Sequence, residues 1–417
     1  MLKPSLGLSS GSCQLGCPRH GFDSTQFLGF GINTGGSDSP QDCANQTGVG
    51  FFGDDLNCYL GFDDKERDVR ARMRIMEEAV RVAHEQSSKD PSVLKIFVAP
   101  EFYWRGPNGA YDAKTIIEHP GQFNTVAEIC GGLEEMVADE KYENWLFVFG
   151  TIIAATRSTS VADFEKVDVG DMHDYLFFNF APIFQGGAGG KKLLAPKEYV
   201  SAIDFLRGQG QGVPQQSTAI PNAFDVTDTD LSGKKHYDFD LWEKLSSYLE
   251  QERGYELVRR NFFEIGNVRL TIEICLDHGV GEAAANFVKK GGGVIPGVEP
   301  SMVSLVSSAG MVIMDKNLIL EDGGVVYHQD GLYNMTSAAK TRTFSPLVHP
   351  LAKESVADAL LDAKGSLWDV AALEPLREAP LWGGRGGKVR EMVGGVFVVK
   401  PEHEPRVAVF PIQPLPP

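Results

Sequence analysis

The chain has 417 residues, of which 42% are hydrophobic and 23% charged, and it carries a net charge of −17 from 56 acidic against 39 basic side chains. Such a balance repels phosphate, so nucleic acid is excluded as an expected partner and docking on anionic membranes is disfavoured. The longest apolar stretch, Trp145 to Ala155, is too short to span a bilayer, and six cysteines in this length do not make a disulfide framework.

Residues 1–24 read as a loose Ser/Gly-rich leader without the apolar core of a signal peptide. A cytoplasmic protein is therefore expected, with export by a specialised secretion system as the alternative. Cys13 and Cys17 lack the spacing partners of a metal site, and Asn45 and Asn334 head sequons that matter only in a secretory context.

QFLGFGIN (26–33) reads as a first strand. Asp63 or Asp64 can cap a helix with Val69, Met73, Met76, Val80 and Ala83 on one face. VLKIFVAP (93–100) is a strand of the buried parallel type, and a second helix follows with Val126, Ile129, Leu133 and Met136 aligned. WLFVFGTIIAA (145–155) is the next buried strand. Alternating strands and helices predict an α/β sheet covered by helices.

YLFFNFAPIFQ (175–185), the glycine turn Gly186–Gly190 and KKLLAPKEYV (191–200) predict a hairpin. Residues 207–260 are more polar, with one helix around Leu241–Glu252, and are expected to be a surface insertion. NFFEIGNVRLTIEICLD (261–277) reads as a hairpin turning at Gly266–Asn267. GGGVIPGV (291–298) and MVIMDKNLIL (311–320) continue the strands. From about 341 to 417 the chain is a loop-rich C-terminal extension with a late hairpin around 388–410.

Three positions have reactive potential. Leu270, Ile272 and Ile274 alternate with Thr271, Glu273 and Cys275, so Cys275 ends a strand just before a glycine-containing turn, where α/β proteins place reactive groups. Glu101 ends another strand, followed by Phe102, Tyr103 and Trp104 as an apolar rim, a setting that suits a general base. Lys197 follows the glycine turn, and a lysine held near the other two could stabilise an oxyanion. Taken singly, each has a plainer reading: a buried cysteine, a helix cap or rim charge, and a solvated surface charge.

Their order and contexts change those readings. From FVAPEF through KLLAPK to EICLDHG, the chain resembles the nitrilase superfamily of carbon–nitrogen hydrolases over roughly residues 25–335, the insertion excepted. The resemblance implies an α-β-β-α sandwich, with the insertion and extension added, that dimerises or assembles further. It implies a Glu101–Lys197–Cys275 triad that cleaves an amide, carbamoyl or nitrile bond of a small molecule through a thioester, with no cofactor and no metal. Many members carry a second glutamate after the lysine. Here the best match is Asp204, with Glu198 and Glu273 as other candidates. That substitution keeps open an alternative in which the fold persists as a binding or scaffold protein without turnover.

Other motifs fall away. GGAGGKK (186–192) has Gln185 where a phosphate-binding loop needs glycine and no Ser or Thr after Lys191. His278 is three residues from Cys275, but its ring need not point back, so a protease-like Cys–His pair is not expected. Neither His84–Glu85 nor His403–Glu404 continues into a zinc-protease motif.

Overall fold

The computed structural model describes residues 21–32, 34, 65–105, 111–112, 124–155, 177–200, 220–221, 247–287, 298–331, 335–344, 368–380 and 405–417. Asp204, the four cysteines near the N-terminus, the sequon asparagines Asn45 and Asn334, and GGGVIPG (291–297) lie outside these residues.

The first half builds one sheet. Strand β1 (Ser24–Gly31), helix α1 (Lys65–Gln86), β2 (Val93–Ala99), β3 (Tyr111–Asp112), helix α2 (Thr125–Val137) and β4 (Trp145–Phe149) follow in chain order. β1, β2 and β4 pair in parallel, as the alternation of elements predicts. The apolar run after Tyr142 is not one strand. Gly150, at φ +74, breaks it before β5 (Ile152–Ala155), because an added Cβ there would lie 2.3 Å from the Pro100 carbonyl oxygen. β6 (Phe177–Gln185) and β7 (Lys192–Pro196) form the expected hairpin, and a short pair, β8 (Tyr199–Val200) and β9 (Ile220–Pro221), follows.

The second half builds the other sheet. After β10 (Glu256–Leu257) come β11 (Phe262–Ile265), β12 (Val268–Ile274), the short helices α3 (Leu276–Val280) and α4 (Glu282–Phe287), β13 (Ser301–Ser308), β14 (Leu320–Asp330), β15 (Met335–Phe344) and β16 (Trp368–Leu373). β11 to β16 pair in sequence order. β17 (Arg377–Pro380), β18 (Arg406–Val409) and β19 (Gln413–Pro414) return to the first sheet, with β18 beside β1.

Alternation along the strands sorts the core into layers. Phe27, Leu94, Ile96, Val98 and Phe410 of the first sheet pack against Leu270, Ile272, Val303, Leu305 and Tyr327 of the second, between the two sheets. Leu28, Phe30, Phe97 and Phe147 point the other way, onto Val69, Met76, Val80 and Ala83 of α1 and Val126, Ile129 and Leu133 of α2. Ala284 and Phe287 of α4 cover Val306 and Val326 on the far face of the second sheet. The architecture is an α-β-β-α sandwich. Among the described residues no helix is long and apolar enough to cross a membrane.

Several expectations need correction. MVIMDKNLIL is a loop with a single 3-10 turn at Asp315–Asn317, and the strand begins only at Leu320. The apolar residues misled because they pack on α3 and α4 rather than in a ladder. The polar 207–260 stretch is not a surface insertion throughout. β10 pairs in parallel with β7, and Leu249, Tyr255 and Val258 are buried in the core. The leader ends earlier than 24, since Phe22 is buried and its backbone N–H and C=O bond the Asn267 side chain. The C-terminal extension, expected to pack on the domain, enters its sheet. It supplies a strand inside the first sheet, with Val407, Ala408, Val409 and Phe410 fully buried or nearly so.

Candidate active site

Glu101 follows β2 directly, in a turn that other elements hold from both sides. The Thr34 hydroxyl donates to the Glu101 carbonyl. The Phe102 N–H donates to Thr151 Oγ1 at 2.9 Å, and Phe102 itself adopts φ +64. Trp104 exchanges backbone bonds with Thr151 and Ile153 and donates its indole N–H to the Phe149 carbonyl at 2.8 Å. Phe102, Tyr103 and Trp104, read from the sequence as an apolar rim, are fully buried or nearly so.

Lys197 directly follows β7, and its N–H donates to the Asn179 carbonyl at 2.8 Å. Its ammonium lies 2.8 Å from Glu101 Oε1, with both side chains fully buried. Asn179 Nδ2 donates to the same oxygen at 2.9 Å. Removing two such charges from water is tolerable only when they face each other with good geometry. The Phe102 ring, with its centroid 5.6 Å from Lys197 Nζ, adds a cation–π contact on one side. These residues lie 96 apart in sequence and meet because β6 and β7 carry the lysine back across the sheet to the end of β2.

Cys275 follows β12 on the opposite sheet. Its N–H donates to the Ser307 carbonyl at 3.0 Å, and its own carbonyl accepts the N–H groups of His278 and Gly279. Strict alternation would place it with Thr271 and Glu273, facing the helices. Instead its backbone turns to φ +49 and ψ −104, and its side chain joins the layer between the sheets, 4% exposed. A non-glycine residue in that conformation is strained, and such strain concentrates at functional sites.

Two hydrogen bonds tie the end of β12 to the Glu101–Lys197 pair. Ser307, which receives the Cys275 N–H, donates its hydroxyl to the carbonyl of Ala99, two residues before Glu101, at 3.0 Å. Asp277, two residues after Cys275, accepts the N–H of Glu198, the neighbour of Lys197, at 3.0 and 3.1 Å through its two oxygens.

The remaining candidates separate. Glu273 points away from the layer between the sheets. Its Oε1 accepts the Ala283 N–H at 3.0 Å and its Oε2 lies 2.7 Å from His278 Nδ1. The other nitrogen of His278 accepts the Met314 N–H at 2.8 Å, which fixes the proton on Nδ1 and leaves neither ring nitrogen for Cys275. Asn179, Ser307 and Asp277 carry weight that sequence reading missed. Asn179 left a trace as the one polar side chain within FFNFAPIF.

No protein-family model matches the chain, and no curated protein matches it. Among solved structures, the amidase from Nesterenkonia sp. AN1 in complex with butyramide is 12% identical, with a TM-score of 0.30, covering 83% of this chain and 96% of that one. Saccharomyces cerevisiae Nit3, a member of branch 10 of the nitrilase superfamily, is 11% identical, with a TM-score of 0.34, covering 93% of this chain and 90% of that one. The sandwich assignment stands on the sheet order and layers themselves.

Proposed function

We propose that this protein is a hydrolase of the nitrilase superfamily that cleaves a carbon–nitrogen bond other than a peptide bond in a small amide, carbamoyl or nitrile compound. The observation that carries the reading is the fully buried Glu101–Lys197 pair at 2.8 Å, hydrogen-bonded through its neighbours to the strained turn at Cys275. In the proposed reaction, written for an amide or carbamoyl compound, Glu101 takes the thiol proton and the Cys275 sulfur attacks the carbonyl carbon. Lys197 and a backbone N–H near Leu276 stabilise the tetrahedral oxyanion. Collapse breaks the carbon–nitrogen bond, and the amine departs with the proton that Glu101 returns. Water, deprotonated by Glu101, then cleaves the thioester and frees the acid and the thiol. Asp204, as the second carboxylate, would keep Lys197 aimed.

A panel of linear amides, carbamoyl compounds and nitriles, with ammonia release measured for wild type and Cys275→Ala, tests this. At least one compound should be turned over by wild type and none by the variant, and intact-protein mass spectrometry should trap an acyl adduct on Cys275. Turnover that survives Cys275→Ala, or no turnover of any compound, would sink the proposal in favour of a scaffold.

A further inference from the structure

We propose that Asp277 is a positioning residue that latches the lysine-bearing segment to the turn holding Cys275, an inference that rests on the function proposed above. The reacting groups belong to different sheets. Glu101 and Lys197 extend the first, and Cys275 extends the second. Face-to-face sheets share no backbone ladder. Their packing through apolar side chains is non-directional and tolerates small slides. Holding a thiol against a buried ion pair across that gap requires directional bonds between the two layers.

Two such bonds flank the site. On the glutamate side the Ser307 hydroxyl reaches the Ala99 carbonyl at 3.0 Å. On the lysine side the Asp277 carboxylate receives the Glu198 N–H at 3.0 and 3.1 Å. Asp277 is fully buried, and its bond is of the charge-assisted class. It sits in the first turn of α3, a helix of only five residues, too short to fix its own position without tertiary anchors. Cys275 is two residues from one end of the latch and Lys197 one residue from the other.

The role predicts which chemical feature matters for the latch, namely an acceptor for the Glu198 N–H. In Asp277→Asn the amide oxygen still accepts it, and in Asp277→Ala nothing does. On the full chain, kcat and KM are measured together with the rate at which iodoacetamide alkylates Cys275 as a function of pH. Asp277→Asn should stay within about threefold of wild type in kcat, whereas Asp277→Ala should lose about 100-fold in kcat with far less change in KM. Its alkylation profile should move toward that of an ordinary exposed cysteine, and that of Asp277→Asn should not. A wild-type kcat and profile in Asp277→Ala would overturn the proposal, as would equal losses in both variants. If wild type turns over no compound, the function fails separately. The alkylation profiles then decide for Asp277 alone: moved in Ala but not in Asn supports the latch, and any other pattern overturns it. Should Asp277→Ala yield no folded protein, replacing the Glu198 amide by an ester (the α-hydroxy analogue of glutamate at that position) removes the same N–H while keeping the side chain, and is judged by the same readouts.

Discussion

Cys275 shows how a single backbone conformation redirects chemistry. An alternating strand would turn its thiol toward Glu273 and the helices. The rotation to φ +49 sends it into the layer between the sheets instead. That conformation costs about 1–3 kcal/mol for a residue with a Cβ. Glycine escapes most of this, although it gives back some stability through a more flexible unfolded chain. Cys275→Gly is therefore expected to be about 1 kcal/mol more stable than Cys275→Ala in urea denaturation, with both inactive. An alanine variant as stable as the glycine variant would mean the turn is not strained.

At the scale of elements, the ends of β13 and β14 carry a buried relay that explains the geometry of the loop after β13. Ser308 donates its hydroxyl to Asp330 at 2.6 Å, so the contact between Ser308 Oγ and His328 Nε2 at 2.8 Å must use the histidine's proton. His328 Nδ1 then accepts from Ser337 at 3.1 Å. Asp330 also receives the Gly310 and Met311 N–H groups, which pins the loop that runs on to Met314 and His278. Burial pushes His328 down to about 4, against the opposing pull of Asp330. The folded protein thus keeps His328 neutral at pH values where the unfolded chain, titrating near 6.5, has already bound a proton. Stability falls as pH drops through that window and is unaffected by this group above it. Between pH 7 and 4 the wild type should lose on the order of 3 kcal/mol more than His328→Gln, read from denaturant midpoints at each pH. Parallel pH curves for the two proteins would exclude His328 as the cause.

On the scale of the whole molecule, the proposed function requires a fixed spacing of the two sheets. Gly29 of β1 faces the second sheet so closely that an added Cβ would lie 2.1 Å from Thr336 Cγ2 and 2.7 Å from Gln329 Oε1. Strands β14 and β15 approach there because the position has no side chain. Gly29→Val should force the layers apart at the end of the sandwich that carries Thr34 and Glu101. The expected cost is about 1–3 kcal/mol in thermal or urea unfolding, with a reduced kcat in whatever folds. An unchanged midpoint would show that the layers can spread without penalty.

The sequence by itself determined the main strands and helices of the first half, apart from the break at Gly150, together with the two hairpins and the three residues proposed for catalysis. Each depends on local patterns: periodicity in α1 and α2, glycine at the turns, and short motifs at strand ends. Its failures share one cause. Burial of Leu249, Tyr255 and Val258, the place of β18 beside β1 and the loop character of 311–319 depend on partners distant in the chain, so no local pattern encodes them. Only the tertiary structure decided that Glu101 and Lys197 form a buried pair, that Glu273 serves His278, and that Asp277 bridges the two sheets. Buried polar groups take whichever partner the packing presents, and the two sheets bring together groups as far apart in the chain as Ala99 and Ser307.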